Sequence, residues 1–99
     1  MRVVVSAKAE ADLEEIGDWI ARDNPIRAAS FARELREACL SLADMPRAFP
    51  LLPHRAKSGI RRKPYRNYLI FYSVGDRRIE ILHVLHGARD YDSILFPES

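Results

Sequence analysis

The residues whose types could do chemistry are six cations, Lys57, Arg61, Arg62, Lys63, Arg66 and Arg89, and three histidines, His54, His83 and His86. Cleaving RNA through its 2′-hydroxyl needs a base, an acid and a cation for the phosphate. Cations are plentiful, but a carboxylate base is not at hand. Seven Lys and Arg residues fall between Met45 and Gly75, and no acid does. A lysine or arginine would serve as base only with a strongly lowered pKa. His83 lies in an apolar run and reads first as a hydrogen-bonded core residue. His86, beside Gly87 and close to Arg89, is the better catalytic candidate. A nuclease reading would therefore use Arg61, His86 and Arg89. Three scattered histidines and the single Cys39 show no zinc spacing, and Gly59 and Gly87 are too isolated to cradle a phosphate. No metal or cofactor is expected.

The same charge can instead bind. Residues 1–50 carry 7 Lys and Arg against 9 Asp and Glu, whereas residues 51–99 carry 9 against 5. The first half is thus at −2 and the second at +4, within a net charge of +2. That asymmetry favours an anionic partner for the second half, nucleic acid or an acidic protein segment. Cations on an edge strand also guard a sheet against pairing with its neighbours.

The elements that must hold these groups follow from periodicity. Arg2 to Val5 is a short β-branched strand, and Ser6 offers an N-cap to a helix beginning near Ala7. Ala9, Leu13, Ile16 and Ile20 mark one face of it, with Trp19 bordering the stripe as a core or boundary aromatic. Asn24 and Pro25 read as N-cap and first residue of a second helix, whose face is Ala28, Phe31, Leu35, Ala38 and Leu42 and which Pro46 ends. Two helices joined so tightly form an antiparallel hairpin. Arg33 and Glu37 are spaced for an ion pair on its polar face. Met45 to Ser58, with three prolines, is a loop whose Phe49, Leu51 and Leu52 can plug the core. Ile60 to Lys63 reads as a strand that Pro64 ends. Tyr68 to Val74 and Ile79 to His86 read as internal strands around a turn at Gly75-Asp76-Arg77. Ile94, Leu95 and Phe96 could dock as a last strand or turn.

The expected class is α+β, β-α-α-β-β-β, a helical hairpin on a small antiparallel-rich sheet. A chain of 99 residues is expected to be one domain, 1–99. No stretch is long and apolar enough for a membrane span, the N-terminal run is too short for a signal peptide, and one cysteine fits a reducing cytoplasm.

Several of these stretches together resemble the ParE branch of the RelE/ParE toxin superfamily. They are Ala9, Asp12-Leu13, Ile16 and Trp19-Ile20; Asn24-Pro25, Ala28-Ala29 and Phe31; Pro46 and Phe49-Pro50; Gly59-Ile60-Arg61 and Tyr68-Leu69-Ile70-Phe71-Tyr72; and His83-Val84-Leu85-His86-Gly87-Ala88-Arg89-Asp90. The resemblance covers nearly the whole chain. It implies the toxin of a type II toxin–antitoxin pair, neutralised by a ParD-like ribbon-helix-helix antitoxin that wraps the hairpin and sheet and alone contacts operator DNA. It further implies DNA gyrase as target, reached without catalysis. The RelE branch instead cleaves mRNA on the ribosome, with a functional Tyr several residues beyond the last strand's Arg; here Tyr91 stands only two residues from Arg89. Arg61, Arg62, Lys63, Arg66, Arg89 and Tyr91 are the target-binding candidates. Trp19, Phe31, Leu35, Tyr72 and Leu82 are the antitoxin-binding candidates.

Overall fold

The computed structural model describes residues 1–98. β1 (Arg2–Val5) leads directly into α1 (Ala7–Ala21), which is followed by α2 (Pro25–Leu40) and a short 3-10 turn, Ser41–Asp44. β2 (Ile60–Tyr65), β3 (Tyr68–Val74) and β4 (Arg78–His86) follow, and α3 (Tyr91–Leu95) closes the chain. The sheet order is β1-β4-β3-β2, with β1 parallel to β4 and the other neighbours antiparallel. This is the expected α+β fold with a short helix, rather than a strand, at its end.

Local chemistry explains the helix boundaries. The Ser6 hydroxyl oxygen accepts from the Ala9 N–H at 3.1 Å, and Asn24 Oδ1 accepts from the Arg27 N–H at 3.0 Å just before Pro25. The hairpin buries Ala9, Leu13, Ile16, Phe31, Leu35, Cys39 and Leu42 against Ile70, Tyr72, Ile79, Ile81 and Val84. Burial pushes the Cys39 thiol up to about 11. Across the hairpin, Arg36 makes two bonds to Glu10, at 2.7 and 2.9 Å; within α2 Arg27 pairs with Glu34, and among the described residues no bond joins Arg33 to Glu37. The other face of the sheet is covered too. Phe71, Leu52 and Leu85 form a second core under Tyr91, Ile94, Leu95 and Phe96.

β2 does not stop at Pro64 but runs through it to Tyr65. β2 is an edge strand, and Pro64 stands where an N–H would face away from β3, so its missing donor costs no ladder bond. Arg66, at φ 55°, turns the chain into β3.

β4 departs from simple alternation. Phe71 pairs with His83 and Tyr72 with Ile81, which leaves Leu82 as an extra residue, a β-bulge. β1 pairs with β4 only as far as Ile81. Beyond that point α1 supplies the partners. The Ser6 hydroxyl donates to the Leu82 carbonyl at 3.1 Å, and Asp12 Oδ2 accepts from the Val84 N–H at 2.9 Å while lying 2.7 Å from His83 Nδ1. His83 is thus a hydrogen-bonded structural residue, as its apolar setting suggests.

Removing the Asp12 carboxylate orphans a shielded backbone N–H. Asp12→Ala is expected to destabilise the fold by about 1–3 kcal/mol, read as a lower denaturation midpoint in urea at unchanged slope. Asp12→Asn keeps an acceptor and is expected to lose less. Equal stability of wild type and Asp12→Ala would show that this carboxylate does not hold the bulge.

Candidate functional site

The basic segment is positioned by β2, and alternation sends its cations to different tasks. Arg61 Nη1 donates to the Phe49 carbonyl at 2.7 Å, anchoring the proline-rich loop. Lys63 Nζ donates to the Ala38 carbonyl at 2.7 Å and to Ser41 Oγ at 2.8 Å, and lies 5.3 Å from the Phe49 ring. It therefore caps the C-terminal end of α2, where free carbonyls favour a cation. Burial lowers its pKa. On the opposite face Arg62 Nη1 donates to the Tyr91 hydroxyl at 2.8 Å. Three of the six target-binding candidates on or after β2 therefore hold the fold together with their charged heads, and Tyr91 receives one of them. Arg66 is exposed on the β2–β3 turn, where its charge acts on Glu34. Arg89 is exposed, and its side chain makes no hydrogen bond or ion pair among the described residues.

Arg89 borders two concavities. The larger, of about 590 Å³, is a groove between α1 and the ends of β3 and β4. Its floor is Ile16, Tyr68, Val84 and Leu85; Asp12, Glu15 and Asp18 line the α1 side; Trp19, Arg22, His86 and Arg89 complete it. Trp19 is 63% exposed, not a core residue, and the Arg22 guanidinium stacks 5.0 Å from its ring centroid. The His86 ring meets Tyr68 edge-on at 5.3 Å, and its Nδ1 accepts from the Ala88 N–H at 3.1 Å. An exposed Trp and Arg beside an apolar floor is the composition of a protein-binding hot spot. The smaller concavity gathers His54, Arg55, Arg89, Tyr91 and Asp92. His54 there adopts φ 63°, a conformation uncommon outside glycine.

The structure corrects part of the antitoxin set. Leu35 and Tyr72 are fully buried and Phe31 nearly so, because they form the contact between hairpin and sheet. Trp19 presents surface, and Leu82 is half-buried at the bulge. Sequence reasoning did not single out Arg22, Glu15 or Asp18. Their polar character gave no signal, since the groove forms only when α1 extends beyond β1 along β4. Nor does the structure bring together Arg61, His86 and Arg89. Arg61 is opposite Tyr72 and His86 is opposite Tyr68, four residues apart along β3, or about 13 Å. Among the described residues no cluster of His, Cys, Asp and Glu could hold a metal, and no helix is long and apolar enough to cross a membrane.

The chain matches the family described as "ParE toxin of type II toxin-antitoxin system, parDE" over residues 3–91, and it belongs to that family. It is similar to "Toxin RelE2" of Caulobacter vibrioides, 33% identical over 88 residues that span 89% of this chain and 97% of that protein. Its fold is that of a solved structure titled "Chromosomal ParDE TA system from P. aeruginosa", with TM-score 0.76 and 21% identity over 87% of this chain and 95% of that one. A toxin–antitoxin complex, RelBE2 from Mycobacterium tuberculosis, matches with TM-score 0.59 and 23% identity over 86% and 95%.

Exposed contacts add to the apolar packing that holds α3. Arg55 donates to Asp92 at 3.1 and 2.9 Å and lies 4.2 Å from the Phe96 ring centroid. The hydrogen bonds from Arg55 hold the Asp92 carboxyl below the usual carboxylate range. A lowered carboxylate pKa means that the contact is intact at neutral pH and is lost as the pH falls through that lowered value. Loosening of α3 before global acid unfolding is the expected outcome, visible as lower amide protection at Ile94 and Leu95 relative to the intrinsic exchange rate at each pH. Asp92→Asn should reproduce it at neutral pH; unchanged exchange in that variant would place the anchoring of α3 elsewhere.

Proposed function

We propose that this toxin acts by binding and poisoning DNA gyrase, and that a ParD-like ribbon-helix-helix antitoxin neutralises it in the cytoplasm. Family membership supports the antitoxin. The observation that carries a binding mechanism over a catalytic one is the separation of the nuclease candidates: Arg61 is committed to the Phe49 carbonyl far from His86 and Arg89. The groove, with Trp19, Arg22, His86 and Arg89 on its wall, is the surface assigned to the target. Arg66 adds an exposed charge on the β2–β3 turn. Operator DNA is contacted through the antitoxin alone.

Purified toxin is expected to inhibit gyrase supercoiling, with cleaved DNA accumulating and antitoxin relieving the effect. Arg22→Glu and Arg89→Glu should each weaken inhibition about tenfold or more, equivalent to ~1.4 kcal/mol, without lowering the melting temperature. Antitoxin should raise that temperature, since a partner bound at 100 times its Kd stabilises the native state by about 2.7 kcal/mol. Full inhibition by both folded variants would remove the groove from the target site.

One observation favours a RelE-like ribosome-dependent ribonuclease as the second reading. The smaller concavity brings Arg89, His54 and Tyr91 together, with Arg62 bonded to the Tyr91 hydroxyl. That reading requires mRNA cleavage in a translating extract that His54→Ala abolishes, and no effect on supercoiling.

A further inference from the structure

The groove beside α1 keeps its opposite charges unspent. Asp12, Glu15 and Asp18 stand on the α1 wall, which ends at Arg22, and His86 and Arg89 stand at the end of β4 and just after it. From Asp12 to Arg22 is a helix length of about 15 Å. Asp12 is engaged by the Val84 N–H and His83. Glu15, Asp18 and Arg89 are exposed, and among the described residues their side chains make no hydrogen bond or ion pair. Elsewhere Glu10 pairs with Arg36, Glu34 with Arg27 and Asp92 with Arg55. Here acids and cations share the rim of one apolar cleft without closing on each other.

An enzyme held on cleaved DNA offers two kinds of surface, nucleic acid and polypeptide. A nucleic-acid strand carries one phosphate per about 3.4 Å, so roughly four would lie along this wall. They would meet three carboxylates and two guanidiniums, more like charge than unlike. A polypeptide segment can present both signs and an apolar side chain together. We infer that the groove takes a polypeptide segment and not nucleic acid. A basic side chain of that segment lies against Glu15 and Asp18, an apolar or aromatic one on the floor beside Trp19, and a carboxylate against Arg89. On the reading that the groove is the target site, on which this rests, the segment belongs to gyrase, and the toxin grips the protein rather than its DNA.

Reversing the charge of the α1 wall separates the two partners by sign, since it repels a basic side chain and attracts a phosphate. The double variant Glu15→Lys/Asp18→Lys is expected to bind DNA-free gyrase, and to inhibit supercoiling, about tenfold or more weakly than wild type at an unchanged melting temperature. Glu14→Lys/Glu37→Lys alters the net charge equally outside the groove and is expected to change neither reading. Should the reversed protein misfold, Glu15→Gln/Asp18→Asn should move both readings the same way by less. Unchanged or stronger inhibition by the reversed protein overturns the proposal and leaves gyrase as the target. So does a wild type that binds gyrase only when DNA is present. A wild type that neither binds nor inhibits gyrase removes the target reading instead, and growth arrest by the same variants then decides the occupant of the groove. Loss of toxicity in the reversed protein alone sustains a polypeptide; toxicity retained there, or a wild type that arrests no growth, overturns it.

Discussion

β4 is longer than the strand beside it, and the fold depends on how that mismatch is resolved. β1 ends at Val5, while β4 continues from Ile81 to His86 with polar backbone groups that no strand can pair. Buried or half-buried groups of this kind cost about 1–3 kcal/mol each when left alone. Ser6 and Asp12 of α1 take them over. One residue, Ser6, therefore ends the strand, caps the helix and begins to replace the strand as a hydrogen-bonding partner. The direction of α1, and hence the groove between its second half and β4, follows from this substitution of a helix for a strand.

Charge was the most conspicuous property of the sequence and the least direct guide to the surface. A basic run suggests a face presented to an anion. The structure instead uses Arg61, Arg62 and Lys63 as tethers between β2 and three separate parts of the chain: the proline-rich loop, α3 and the end of α2. A domain of this size has little core to spare, and long cationic side chains can fasten irregular segments through carbonyl and hydroxyl oxygens. Exposed charge lies elsewhere: Arg22 caps the end of α1 and stacks on Trp19, Arg66 stands on a turn and Arg89 in the segment after β4.

Helices and strands were legible because their determinants are local. Ser6, Asn24 and Pro25 mark helix starts chemically, and the apolar steps of α1 and α2 name most of the buried residues, with Ile20 and Ala38 only partly covered. The strand through Pro64 was misread because whether proline is tolerated depends on edge position, a property of the assembled sheet. The bulge left only a faint trace: Ile79, Ile81 and Val84 face the hairpin at steps of two and then three. The groove left less. Trp19 read as a boundary aromatic, and nothing in Arg22 or Asp18 tells which neighbours α1 will bring them.

The extra residue at Leu82 also bears on how this chain can diverge. Because it stands opposite no residue of β3, its loss would restore a regular ladder with His83 still opposite Phe71 and Val84 still opposite Ile70, so β4 can change length by one residue here without turning its core side outward.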